Sequence, residues 1–445
     1  MNNSNLIIIG SGPGGYRAAE HAAKHGLSVT IFEANEAGGT CLNCGCIPTK
    51  TFCRNAEIMQ NLHEGDAFGL QGVSYNFDFN QVLARKQSVV EALRSGVEGL
   101  LAMPGITLVR GKAEFKDAKT VVANGEEYTA DNIIIATGSR AKLLPIEGID
   151  LPHVVTSTEL LNIPSVPKRL CIVGAGVIGM EFASIFNSFG SQVTVVEFLK
   201  ECLPAIDSDI AKRLRQSIGK RGVTFHMQAA VKRITSEGVY FERKGKEEMV
   251  EADVVLIATG RAANTEGIGL EQAGVEFDRV GIKTDDNMQT NIPHIYAIGD
   301  VNARCMLAHA ATFQGLRAVN HILGKSDDIR LDIMPSAIFT LPEAAGVGLT
   351  EEQCKEQGIA YVCKKSFHRA NGKALAMHEG DGMLKLLAGE DGKIIGCYAY
   401  GAHAADLVQE ASALMCKNTT VKEMSEMVHI HPTLSEVLHS ASEQF

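Results

Sequence analysis

No apolar run in this 445-residue chain approaches the roughly 20 residues that a membrane-crossing helix needs, which argues against an integral membrane protein. Cations are also in short supply. Lys and Arg number 42 against 52 Asp and Glu, a net charge of −10, so the broad basic face of a nucleic-acid binder is not expected. The opening MNNSN leads straight into LIIIG, so no secretory leader is expected. Eleven cysteines, an odd number scattered over a long chain, do not make a secreted disulfide framework. These shortages point to a cytoplasmic protein with reduced thiols, in which any disulfide is reactive rather than structural. The remainder is ordinary globular composition, 45% hydrophobic and 21% charged, with length for about two to four domains.

Against that background, residues 38–50 stand out: GGTCLNCGCIPTK gathers Cys41, Cys44 and Cys46 within six positions. A metal site, a structural bridge and a redox reaction all use clustered thiols. Cys41 and Cys44 have the spacing of half a zinc site, but a second pair at suitable spacing is missing, so no metal is expected.

Residues 6–15, LIIIGSGPGG, place Gly10, Gly12 and Gly15 in G-x-G-x-x-G spacing after an apolar strand. An alanine-rich helical stretch follows and stops at Gly26, then the strand VTIF delivers Glu33. This is the full dinucleotide-binding context, in which glycines admit a pyrophosphate at a helix N-terminus and the acid accepts from a ribose hydroxyl. The unit recurs as CIVGAGVIG with Gly174, Gly176 and Gly179, and VTVVE ends at Glu197. Each acid lies 23 residues beyond the first glycine of its motif. Phe182, Ile185, Phe186 and Phe189 mark one buried face of the second helix. IIIATG, with Thr137 and Gly138, and LIATG, ending at Gly260, read as returning parallel strands; TNIPHIYAIGD delivers Asp300 from a third.

With two fingerprints, the cysteine cluster and HIHPTLSE near the end, the chain resembles the class I pyridine nucleotide-disulfide oxidoreductases along nearly its whole length. The resemblance implies an α/β fold of two Rossmann-like domains and a C-terminal α+β dimerisation domain. Its expected boundaries are 1–145 for the first FAD-binding segment, 146–266 for the NAD-binding domain, 267–332 for the second FAD-binding segment and 333–445 for the interface domain. It implies FAD at Gly10, Gly12, Gly15, Glu33, Gly39, Thr40, Lys50, Thr137, Gly138 and Asp300, and at the MLAH residues Leu307, Ala308 and His309. It implies NAD at Gly174, Gly176, Gly179, Glu197 and Gly260. Cys41 and Cys46 become the redox pair, with Cys46 beside the flavin and Cys41 facing the substrate. A helix start at this place would lower the thiol pKa. His431 becomes the acid–base group, a role suited to imidazole near neutral pH, with Glu436 as its orienter and His429 ranked second. Lys50 and Glu181 become an ion pair beside the flavin.

Within that family, the chain resembles the dihydrolipoamide dehydrogenases. Glu197 suits the free 2′-hydroxyl of NAD and repels the phosphate of NADP. The tail HSASEQF lacks the cysteine pair of mercuric reductases, and both redox cysteines are present. The implied partners are a second copy of the chain, dihydrolipoamide on a lipoyl domain, and an acyltransferase (E2) core or a glycine-cleavage carrier protein. Ala263 stands where proline is usual, Tyr398 where histidine is, and VNARCMLAH lacks glycines common there; the redox pair and the His–Glu dyad are untouched. LKLLAGEDGKIIGCYAYG reads as a hairpin before a helical AADLVQEASALM. Cys44 stands where a small apolar residue is expected and fills that volume. Exchanging Cys44 for Val should therefore leave turnover within about twofold; a large loss in a steady-state assay would show that the third thiol takes part.

Overall fold

The strand Asn2–Ile9 carries alternate side chains to opposite faces, and both faces are apolar. Leu6 and Ile8 pack with Ala18, Ala19 and Ala22 of the helix Pro13–Lys24, whose small residues let helix and strand approach closely. Ile7 and Ile9 pack on the other side with Phe115, Val121 and Ile295. A strand buried on both faces belongs in the middle of a sheet, and it pairs in parallel with Val29–Glu33 and Glu126–Ile135. Ile106–Arg110 extends the sheet on one side and Ile295–Ala297 on the other, again in parallel. Ala113–Phe115 and Thr120–Ala123 add an antiparallel meander on Glu126–Ile135.

The computed structural model describes residues 2–445. They fall into two compact units. The first contains the sheet just described and draws on residues up to Thr51, Gln81–Lys142 and Gly260–Leu331.

The second unit draws on Phe52–Asn80, Leu143–Thr259 and Asp332–Phe445. Its parallel sheet runs in the order Thr224–Met227, Gln192–Glu197, Arg169–Val173, Val254–Ile257 and Val154–Val155. The helix Val177–Ser188 starts after the second glycine motif, and Phe182, Ile185, Phe186 and Phe189 are all buried, as their spacing predicts. An antiparallel sheet in the order Ser336–Ile338, Glu343–Gly348, Ile394–Gly401, Met383–Gly389 and Tyr361–Phe367 carries the C-terminal part. Met383–Gly389 and Ile394–Gly401 form the expected hairpin, and the helix Ala404–Cys416 follows it. Tyr398 is buried in this sheet, its hydroxyl donating to the Gly348 carbonyl; a side chain at Gly346 would meet its ring.

Within the second unit, one buried cation ties distant stretches together. Lys385 is 1% exposed, and its ammonium lies 2.7 Å from Asp207 and 2.5 Å from Glu351. Asp207 is also the N-cap of the helix Ser208–Lys220, accepting from the backbone of Asp209 and Ile210. Removing the cation would leave two carboxylates without their counter-charge, a loss of about 3–5 kcal/mol by the behaviour of broken buried pairs. Lys385→Met should thus lower the denaturant midpoint substantially at an unchanged slope; a midpoint equal to that of the parent would refute this account.

Candidate active site

The two glycine motifs fold alike. Gly10 and Gly174 each have φ of +106°, and a Cβ there would lie 2.4 Å from the Ala136 carbonyl oxygen and 2.5 Å from that of Ala258. A Cβ on Gly15 or Gly179 would lie 1.9 or 2.0 Å from the carbonyl oxygen of the motif's own first glycine. These four positions are closed to side chains by the backbone itself. Gly12 and Gly176 differ: each caps a helix, and the nearest heavy atom to an added Cβ is 4.0 Å away at Gly12, with none that near at Gly176. The open glycine at a helix N-terminus is where an anionic pyrophosphate fits, while the closed ones bring strand and helix together.

Each acid stands at the end of the strand after its helix and is already anchored. Glu33 accepts from the Ser11 amide and hydroxyl and from the Asn35 amide, at 2.9, 2.6 and 2.8 Å. Glu197 accepts from the Ala175 and Leu199 amides. A carboxylate has about four acceptor positions, so each keeps capacity for a ribose hydroxyl. The residues present therefore fit two dinucleotides.

The first unit brings the cysteine cluster to the first motif. Gly39, with φ of +61°, packs its backbone on Gly12, where a Cβ would meet the Gly12 Cα at 2.7 Å. Gly39 and Thr40 open the short helix Gly39–Cys44, with Cys41 in its first turn, and Cys46 opens the helix Cys46–His63. Lys50 lies one turn after Cys46 on that helix. Asn43 holds the entry in place: its amide donates to the Ala37 and Gly39 carbonyls, both at 3.0 Å, and its oxygen accepts from Arg94 at 2.9 Å.

The Cys41 thiol is hydrogen-bonded with Cys46, and its pKa moves upward rather than downward as its helix position led us to expect. The hydrogen bond to Cys46 is the main cause, followed by burial and by the charge on Cys46; Lys50 opposes them. A helix start does not by itself acidify a thiol that has an ionisable neighbour. Cys41 keeps its proton when the pair is reduced. The Tyr16 hydroxyl is likewise raised, by burial first and then by Cys41, which places it among the neighbours of that sulfur.

Asp300 sits in the turn Gly299–Asn302 after the strand Ile295–Ala297. Ser139 donates to it, and Arg261 lies 3.7 Å away while also donating to the Ser139 hydroxyl and carbonyl, each at 2.7 Å. Thr137 and Gly138 are tied to Asn264: the Thr137 hydroxyl donates to its carbonyl, and its amide returns a bond to the Thr137 carbonyl. Gly260 accepts from the Lys142 amide. Leu307 is the N-cap of the helix Ala308–Ile322, which places Ala308 and an exposed His309 in its first turn. Tyr16, Ser139 and Arg261 were missed in the sequence; Arg261 had a signal, as the charged residue just after the second Thr-Gly.

In the second unit, His431 Nδ1 lies 2.8 Å from Glu436, and the other oxygen of Glu436 accepts from the Thr433 amide at 2.8 Å. The Thr433 amide first, and His431 next, hold the Glu436 carboxyl below the usual range, so it stays ionised into acid. The His431 ring is 80% exposed, whereas His429 is 10% exposed and engaged with Glu410 at 3.1 Å. Of these two imidazoles, that of His431 is the one open to solvent. Val428 and Ile430, flanking His429, are exposed apolar side chains. Glu181 is buried and accepts from the Phe339 amide at 3.0 Å.

Residues 4–315 match the family model for pyridine nucleotide-disulphide oxidoreductase, and residues 334–442 match the dimerisation domain of the same family. The dihydrolipoyl dehydrogenase of Chlamydia muridarum is 39% identical over 98% of this chain and 96% of its own. That of Bacillus subtilis is 38% identical over 99% and 96%. Among solved structures, the HOCl-induced flavoprotein disulfide reductase RclA of Escherichia coli has a TM-score of 0.88 and 30% identity, with 99% of each chain covered.

The open glycine supplies a test. Gly176→Ala meets no protein atom and should fold normally, yet its methyl enters the space for a pyrophosphate. Titration with NADH should show affinity lowered by about tenfold or more, with an unaltered melting temperature; unchanged affinity would contradict the assignment.

Proposed function

Since the chain belongs to the pyridine nucleotide-disulphide oxidoreductase family, whose cofactors are FAD and NAD(H), we propose that this disulfide oxidoreductase oxidises dihydrolipoamide carried on a lipoyl domain and reduces NAD⁺. The observation that carries the reading is that one chain holds both a hydrogen-bonded Cys41–Cys46 set and a preformed, exposed His431–Glu436 dyad. Residues 1–145 and 267–332 serve FAD, 146–266 serve NAD, and 333–445 join two copies in a homodimer. The acceptor complex is an acyltransferase core or a glycine-cleavage carrier, and the setting is the cytoplasm.

In the oxidised enzyme Cys41 and Cys46 form a disulfide. A thiolate of dihydrolipoamide attacks the sulfur of Cys41, and the electron pair of the broken bond remains on Cys46. The second substrate thiol then displaces Cys41 from the mixed disulfide, and lipoamide leaves as the cyclic disulfide. His431 takes the proton of the first attacking thiol, passes it to the Cys41 sulfur as that sulfur is displaced, and then takes the proton of the second thiol, with Glu436 fixing the ring tautomer and stabilising the imidazolium. Cys41 leaves as a thiol, in keeping with its raised pKa. Bound FAD and NAD⁺ supply the acceptance of the electron pair and its delivery as hydride. Lys50 and Glu181 act as a charge pair beside that centre, and Glu197 sets the preference for NAD.

The likeness to RclA supports a second reading, an NADH-dependent reductase of a different disulfide. The deciding experiment is anaerobic NADH oxidation with lipoamide, run beside NADPH with glutathione disulfide. Turnover only in the first pair, falling by on the order of 10²–10⁴ in His431→Gln, is expected. Reduction of the enzyme by NADH without lipoamide turnover would reject the dihydrolipoamide reading in favour of the second.

A further inference from the structure

We infer that Asn371, outside the catalytic motifs, is a positioning residue for the His431–Glu436 dyad, an inference that rests on the acid–base role proposed above for His431. Asn371 follows the strand Tyr361–Phe367 and the turn His368–Ala370, and it is 8% exposed. Its two side-chain atoms serve different segments. The oxygen accepts from the Ala374 amide at 2.9 Å and caps the short helix Gly372–Ala376. The nitrogen donates to the Thr433 carbonyl, also at 2.9 Å.

Thr433 is the residue through which the dyad is held. Its carbonyl is bound by Asn371 and its amide by Glu436, so both polar groups of one backbone residue are fixed from opposite partners. Glu436 in turn orients His431 at 2.8 Å. Because the imidazole is largely exposed, its direction depends on that contact more than on packing. A displaced Thr433 therefore moves the base, and proton transfer is sensitive to such displacement.

The turn that presents Asn371 has little slack. His368 is fully buried, and a Cβ at Gly382 or Gly401 would stand 2.3 or 2.5 Å from its ring. The backbone binds His368 to Gly382 at 3.1 Å and Asn371 to His368 at 2.9 Å. Just before it, the Ser366 hydroxyl donates to the Val437 carbonyl, adjacent to Glu436. The Asn371 amide is thus delivered from a rigid sheet edge to the loop that bears the base.

Two substitutions separate the roles. Asn371→Ser caps a helix about as well as asparagine but is too short to reach Thr433. Asn371→Asp keeps size and cap yet offers no donor to a carbonyl. Each holoenzyme would be mixed anaerobically with dihydrolipoamide or with NADH, and flavin absorbance followed. Both variants should lose about tenfold or more in the dihydrolipoamide-driven rate constant, with half-saturation within about twofold. The NADH-driven rate, which does not use the dyad, should stay within about twofold. Equal slowing with both reductants, or full dihydrolipoamide rates in Asn371→Ser and Asn371→Asp, would overturn the inference. His431→Gln run alongside distinguishes the two failures. If it is slow while the Asn371 variants are fast, only the positioning role falls. If it is fast, the proposed role of His431 falls as well.

Discussion

The structure depends on how closely a strand end and a helix start can approach when the residues at the contact have no side chains. In each glycine motif the first and third glycines bring a backbone carbonyl oxygen to between 1.9 and 2.5 Å from where a methyl would stand. That distance cannot be relaxed by a rotamer change, since the obstacle is main chain. The same approach puts the helix N-terminus, with its unsatisfied amides, at the rim of the parallel sheet. Everything that follows in the first unit is arranged around it: Gly39 lies on Gly12, and the cysteine helix begins at that contact.

Chemistry is divided between groups with different needs. The cysteines require a fixed separation and a partly buried setting, and they sit at helix starts braced by Asn43 and Arg94. The imidazole of His431 is instead open to solvent. It is placed on a loop and given direction by hydrogen bonds rather than by burial. Rigid backbone thus carries the precise geometry, and polar contacts carry the accessible one.

Much of this was legible in the sequence because it is written in local patterns. The glycine spacing, the apolar strands, the terminal acids and the hairpin before Ala404 each occupy a short window, and each appears where its pattern puts it. The His431–Glu436 contact was legible for the same reason, being five residues apart. Contacts between remote positions were not. Nothing near Lys385 announces Asp207 and Glu351, and nothing near Asn371 announces Thr433, because a single buried polar residue has no periodicity. The shift of the Cys41 thiol was misjudged on different grounds. The helix start was visible, but the opposing effect of a neighbouring thiol depends on how closely the two sulfurs meet, which spacing alone does not give.

The proton that stays on Cys41 has an electrochemical consequence. When the disulfide takes up two electrons, it must also take up at least this one proton across the neutral range, since the thiol does not ionise there. A two-electron couple that binds one proton becomes harder to reduce by about 30 mV for each unit rise in pH. Acidification therefore makes the cysteine pair easier to reduce and alkalinity makes it harder, in step with any other couple that takes up two electrons with one proton.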